Sequence, residues 1–209
     1  MAILQRNKIL IALIALILFF SYLASLILTS FGSVEVKTLR LDTQNNQYLI
    51  YDLYKPKIAS KENKAPFIAI IPGFQRSKEA LSNIAIELSR RGYVVALIDP
   101  YAQGLSSSSL STRAATTEGY GMFSLVEYVH SGAFEYVDID RIGATGHSMG
   151  GNAAIRGADY FGKKAIKNAT KSILNSVYVS GYVLTLRNKI LQDSRSNMGI
   201  SYALYDEGA

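Results

Sequence analysis

The rhythm of the chain between residues 66 and 160 constrains its fold more than any other feature. "PFIAIIPG" (66–73), "YVVALIDP" (93–100) and "RIGATGH" (141–147) are short, continuous apolar runs. Runs of that length and character suit strands buried on both faces. Between them lie segments with helical periodicity. Leu81, Ile84, Ala85 and Leu88 share one face of a helix predicted over about 77–91, which Gly92 stops. Met122, Leu125, Val126 and Val129 do the same over about 117–131, and Gly151, Ala154, Ile155 and Ala158 over 149–160. Strand–helix alternation of this kind predicts an α/β fold, with a mostly parallel sheet and helices on both faces.

The flanks extend this plan. "SVEVKTLRL" (33–41) and "QYLIYDLY" (47–54) alternate and are joined by the turn-like "DTQNN", which predicts an antiparallel hairpin. "SILNSVYVSGYVLTL" (172–186) contains a fourth buried strand and "GISYALY" (199–205) supplies a fifth. The segment "YAQGLSSSSLSTRAATT" is a loop by composition. No internal repeat and no second-domain boundary is visible, as 209 residues suit one domain.

Ahead of that domain, residues 9–28 are uncharged and mostly apolar. As a helix they span ~30 Å, about one hydrocarbon core. No polar stripe is present, as a core helix would have. The run also exceeds the usual apolar stretch of a cleaved signal peptide, and no small-x-small site is clear in "LASLILTSFGS". The expected layout is a basic segment (1–8), a single-pass signal anchor (9–30) and a domain over 33–209. Arg6 and Lys8 on the short side place the N-terminus in the cytoplasm and the domain outside it, although Lys37 and Arg40 oppose that orientation.

Charge excludes little else. The net charge is +6, and Arg6 and Lys8 supply two of it. The densest basic cluster, "KKAIKNATK" (163–171), has no interleaved aromatics, so it reads as a solvated helix face rather than a nucleic-acid site, with anionic headgroups as the weaker alternative. There is no cysteine, and the two histidines lie in unrelated segments. Neither a metal centre nor a thiolate is expected, and no phosphate-binding or dinucleotide motif is present. No cofactor is expected.

The chemistry concentrates in "GHSMGG" (146–151), a Gly-x-Ser-x-Gly pattern set between a buried strand and an amphipathic helix. That context is what a nucleophile elbow demands. The turn is so tight that the serine is strained, and Gly146 and Gly150 leave room for the backbones. Ser148 then projects above the sheet edge, where the Met149 N–H can donate to a developing oxyanion.

At these residues the chain resembles the α/β-hydrolase superfamily. "VDIDRIGATGHSMGGNAA" (137–154) is most similar to its dienelactone-hydrolase and acyl-peptidase/esterase side. The resemblance covers roughly residues 33–209, the N-terminal half to two-thirds of such a domain. "IIPGFQRSKE" (70–79) resembles the oxyanion loop, with Pro72 in place of the usual histidine and Phe74 at the position of the second oxyanion N–H donor. "DPYAQGLS" (99–106) resembles the loop after the fourth strand, with Ala102 where a glycine is usual. The resemblance implies a structural role for Asp99.

In that superfamily the order is serine, acid, histidine. The resemblance places the triad acid at Asp206, with Glu207 as the neighbouring alternative. Neither histidine fits the base. The side chain of His147 points away from Ser148, and His130 ends a helix on the opposite edge of the sheet. The resemblance therefore implies a base from residues beyond Ala209, so the chain reads as an incomplete copy of a longer hydrolase. The implied activity is serine hydrolysis of a small-molecule or peptide ester, thioester or amide. The competing reading is a non-catalytic binding or scaffold protein on the same fold. Other chemistry is a third, since fold alone does not fix a reaction.

Overall fold

The computed structural model describes residues 2–43, 46–108, 117–182 and 193–201. Helix α1 (Ala2–Leu28) leads into β1 (Val34–Thr43) and β2 (Gln47–Pro56), which pair from Val34↔Pro56 to Thr43↔Gln47. Then follow β3 (Ala65–Ile71), α2 (Ser82–Arg90), β4 (Val94–Asp99), α3 (Met122–His130) and β5 (Val137–His147). Helix α4 (Met149–Asn168), β6 (Ser176–Ser180) and β7 (Asn197–Ser201) complete the order.

The strands form one sheet in the order β1-β2-β4-β3-β5-β6-β7. The β4-β3-β5-β6-β7 run is parallel throughout. The hairpin joins it antiparallel, through Ile50↔Asp99 to Tyr54↔Val95. Local patterning predicts the hairpin but not its attachment to β4.

Alternate residues of the central strands serve two cores. Phe67, Ala69, Ile71 and Ala96 pack with Met122 of α3 and Ala153 of α4 on one face. Ile70, Val95 and Leu97 pack with Ala85 and Leu88 of α2 on the other. Helices thus lie on both faces, and each fully buried side chain of this size contributes roughly 1.5–3 kcal/mol.

Several boundaries differ from the sequence reading for identifiable reasons. A 3-10 turn, Lys78–Leu81, replaces the start expected for α2, because Lys78 is drawn inward by charged partners. Helix α3 starts at Met122, since Tyr120 (φ 56) and Gly121 (φ 97) leave the right-handed region. A Cβ at Gly121 would press on Leu49 and Tyr101. Helix α4 runs past residue 160 because Phe161 and Ala165 continue its buried stripe. It ends where Ala169 turns left-handed and the Thr170 N–H bonds to the Ala165 carbonyl, 2.9 Å. Of the fifth expected strand (199–205), 199–201 is strand, beginning two residues earlier at Asn197, and 202–205 lies outside the described residues.

Candidate active site

Ser148 sits between the last residue of β5 and the first of α4, at the C-terminal edge of the parallel strands. Its backbone is at φ 53, ψ −116, a conformation that L-residues rarely adopt. Two close approaches impose it. A Cβ at Gly146 would overlap the backbone of Gly150, and one at Gly150 would overlap the Ile71 carbonyl of β3. Only glycine lets strand, turn and helix pass this closely. The Ser148 N–H is tied to the Ser180 carbonyl at 3.0 Å, and its carbonyl accepts the Asn152 N–H at 3.0 Å.

The loop after β3 lies against this turn. A Cβ built on Gly73 falls 3.5 Å from the Ser148 Cβ. Phe74, next in sequence, is exposed, and its N–H has no hydrogen-bond acceptor among the described residues. Met149 opens α4, so its N–H has no acceptor within the helix. Ser148, Met149 and the Gly73–Phe74 segment are thus brought together, with two N–H groups at one edge.

Asp99 holds the architecture around them. Its carboxylate accepts the Lys78 N–H at 2.7 Å and the Leu105 N–H at 3.0 Å. Its carbonyl accepts the Ser106 hydroxyl at 2.6 Å, and Ser106 Oγ in turn accepts the Ile50 N–H of β2 at 2.8 Å. A Cβ at Gly104 would collide with the Asp99 carboxyl. The "DPYAQGLS" loop is therefore stitched to β2 and to the loop after β3.

Lys78 is buried and donates to Glu79 at 2.6 Å and lies 3.3 Å from Asp52. Burial pulls its pKa down, but the two carboxylates outweigh that, and the net shift is upward. The Glu79 carboxyl is held down to about 2, first by the hydrogen bond from Lys78 and then by Ser77.

Sequence reasoning passed over Gln103. Its Oε1 accepts the Gln75 N–H at 2.7 Å, and its Nε2 donates to the Gly73 carbonyl at 3.1 Å and the Arg76 carbonyl at 2.8 Å. One amide thus clamps three backbone groups of the loop that carries Phe74. Nothing local in "YAQGLS" signals this, since its partners lie 27–30 residues earlier.

A cleft of about 620 Å³ opens beside Met149, lined by Phe74, Arg76, Tyr101, Gln103 and Tyr120. Tyr101 bonds to Thr43, and burial pushes its hydroxyl and that of Tyr120 above the ordinary tyrosine range. A second groove of about 630 Å³ runs along the α2 face of the sheet past Ile70, Ile84, Val177 and Met198. Its walls are mostly apolar, with Thr145, His147, Ser176 and Asn197 also on the lining.

His147 lies between Gly73 and Gly181, near enough that a Cβ on either would touch its ring. His130 is the last residue of α3, at the opposite edge of the sheet beside Lys164 and Ile173. Among the described residues, no hydrogen bond joins either histidine to Ser148. Asp206 and Glu207 lie outside the described residues. Among the described residues no cluster of three His, Cys, Asp or Glu could hold a metal.

Three solved structures share the fold. The structure of DcsB with its substrate analogue matches at 20% identity and a TM-score of 0.55, over 76% of this chain and 51% of that one. The α/β hydrolase GrgF from Penicillium sp. matches at 18% identity and 0.56, over 71% and 46%. The Pyrococcus furiosus esterase Pf2001 matches at 16% identity and 0.56, over 84% and 86%. The chain thus spans about half the length of the first two and most of the third. No curated protein matches it. A PET hydrolase-like family model matches residues 23–186, well over half of the chain. With its elbow, its sheet order and that match, the chain belongs to the PET hydrolase-like family of α/β hydrolases.

Proposed function

We propose that this protein is a membrane-anchored serine hydrolase acting on an ester, thioester or amide. The observation that carries the reading is the strained Ser148 at the C-terminal end of β5, held by Gly146 and Gly150. Ser148 attacks the carbonyl of a small-molecule or peptide substrate, giving its proton to a base, and the C–O, C–S or C–N bond breaks as the alcohol, thiol or amine leaves with that proton. The Phe74 and Met149 N–H groups hold the oxyanion, which such donors stabilise by about 3 kcal/mol each in a dry site. Asp206 orients the histidine that acts as the base. Water then releases the acyl group from the serine. The named relatives support an esterase-like substrate only through their shared fold.

Helix α1 supports the membrane part. Residues Asn7–Ile27 are long and apolar enough to cross a membrane, and none of that span is buried against the domain. The proposed topology is a single pass with the N-terminus cytoplasmic and the domain extracytoplasmic.

A fluorophosphonate probe on the full-length protein tests the reading. Labelling that disappears in Ser148→Ala is expected, and an unlabelled serine overturns it. The second reading, a binding protein on a hydrolase fold, draws on the lack, among the described residues, of an imidazole bonded to Ser148. It predicts that the probe fails while a substrate-like ligand still binds the 620 Å³ cleft.

A further inference from the structure

The edge of the sheet farthest from Ser148 carries its own pattern. Helix α1 joins the domain there, because β1 starts beside Pro56, the end of β2. The junction is tied down. The Arg90 guanidinium donates to the Ile27 carbonyl and to Ser30 Oγ, both at 3.1 Å. The Val34 N–H bonds to the Thr29 carbonyl at 3.0 Å, and the Lys57 N–H to the Ser33 carbonyl at 2.9 Å. Around that junction two apolar side chains face outward, Phe31 (74% exposed) and Ile58 (66% exposed). Lys57, Lys61, Lys64, Arg90 and Arg91 are exposed on the same edge.

Carboxylates lie among them, Glu35 paired with Lys37 and Asp138 with Arg141, both at 2.6 Å. Glu87 pairs with Arg91 at 2.8 Å and with Arg90 at 3.9 Å, Glu135 lies 4.0 Å from Lys61, and Glu62 accepts from the Ser60 hydroxyl. Among the described residues Lys57 and Lys64 have no ion pair. Exposed apolar tips flanked by long cationic stems suit the boundary between headgroups and acyl chains, where the stems reach outward and the charges meet anionic lipid.

We propose that this edge docks on the surface of an anionic bilayer, so that Ser148 faces away and takes its substrate from the aqueous phase. The inference rests on α1 being the membrane anchor. The seven residues of β3 separate the two edges, roughly 20 Å at strand rise. That distance is about two Debye lengths at physiological salt. An acyl ester in the same bilayer leaflet lies beneath the docking edge, out of reach of a serine on the far edge. A water-soluble ester has open access to the cleft beside Met149.

The chain contains no tryptophan, so single-tryptophan reporters read depth directly. Full-length Leu16→Trp, Ile58→Trp and Leu105→Trp are reconstituted in vesicles of phosphatidylcholine and phosphatidylglycerol carrying brominated acyl chains. Leu105 is 67% exposed on the loop after β4, at the serine edge. Bromine is expected to quench Leu16→Trp and Ile58→Trp and to leave Leu105→Trp bright. Quenching of Ile58→Trp is expected to fall when phosphatidylglycerol is omitted, or when Lys57→Glu and Lys64→Glu are added.

Unquenched Leu16→Trp overturns the anchor reading beneath the proposal. Quenched Leu16→Trp with unquenched Ile58→Trp, or with quenched Leu105→Trp, overturns the docking itself. Quenching of Ile58→Trp that ignores both lipid charge and the reversals overturns the assignment to anionic lipid.

Discussion

The two edges of the sheet are built by opposite means. At the Ser148 edge, Gln75, Ala102, Tyr120 and Ser148 all hold positive φ without being glycine. Such conformations cost about 1–3 kcal/mol each and persist only where neighbours impose them. Here the impositions are the glycine contacts at the elbow and the hydrogen bonds of Asp99 and Gln103. At the opposite edge, cations lie exposed and their ion pairs are mostly superficial. Surface pairs of that kind contribute about 0–1 kcal/mol. One edge therefore sets its strain beside the nucleophile, and the other, although Ser30, Phe31 and Ala169 also hold positive φ there, presents its charge on exposed side chains. Substitutions at the first edge are expected to alter folding and reactivity, and exchanges of exposed side chains at the second to leave reactivity unchanged and stability little changed.

The sharpest way to break that contrast is Gly150→Ala. The new methyl group would meet the Ile71 carbonyl and crowd the Pro72 carbonyl at 2.7 Å, both backbone atoms that cannot rotate away. A loss of about 3 kcal/mol is expected, at the upper end of overpacking. Gly132→Ala, whose Cβ would meet nothing within 4 Å, suffers only its positive φ of 90 and is expected to lose about 1 kcal/mol. Urea unfolding of both variants checks the pair, and equal losses would dissolve the contrast.

Gln103→Ala separates reactivity from stability. It releases the Gln75 N–H and two carbonyls of the loop carrying Phe74. Labelling of Ser148 by a fluorophosphonate is expected to slow about ten-fold, a loss of ~1.4 kcal/mol at the proposed oxyanion site. Gln103→Glu keeps the acceptor for Gln75 but loses both donations, so an intermediate rate is expected. Lys61→Ala, at the far edge, is expected to change neither the rate nor the stability beyond about 0.5 kcal/mol.

This contrast also explains what was legible in the sequence. The elbow was legible because its causes are local: a buried strand, two glycines and an amphipathic helix lie within some 25 residues. The hairpin was legible for the same reason, from alternation and a turn. Its antiparallel attachment to β4 was not, since Ile50 and Asp99 meet across 49 positions and no local pattern encodes the partner. The role of Asp99 followed from the family resemblance, whereas the Gln103 clamp required the loops to be seen together. The late start of α3 was hidden because Tyr120 is left-handed without being glycine or asparagine. Asp206 lies outside the described residues, so the acid remains a proposal from its place after the last strand.

Strain at the elbow gives a smaller effect. Replacing Ser148 by glycine relieves the φ 53 conformation, while alanine keeps its Cβ and the strain. Both abolish labelling. Ser148→Gly is expected to be more stable than Ser148→Ala by about 1 kcal/mol, since the relief exceeds the extra chain entropy that glycine loses on folding. Thermal melts of the two variants decide it. Equal or reversed melting temperatures would mean that the serine is not held in a costly conformation.

The smallest effect concerns acid. Glu79 is held at about 2, below its ordinary 4.5, chiefly by Lys78. A lowered carboxyl contributes stability that is complete above its unfolded pKa and vanishes as pH falls through its folded one. The window is therefore about pH 4.5 down to 2. The Glu79 side chain is largely exposed, so solvent screens the gain and only a modest shift in melting temperature is expected. Glu79→Gln should flatten that part of the profile. At the far edge Asp138, lowered first by its hydrogen bond from Arg141, gives a control. If both edges hold their carboxylates equally firmly, Asp138→Asn and Glu79→Gln will flatten the melting profile alike. Lys78 distinguishes them, because it is buried and also reaches Asp52, whereas Arg141 is exposed. Acid should therefore loosen the loop after β3 specifically, seen as a slowing of Ser148 labelling between pH 4.5 and 2 that wild type and Asp138→Asn share and that Glu79→Gln lacks at the same fraction folded.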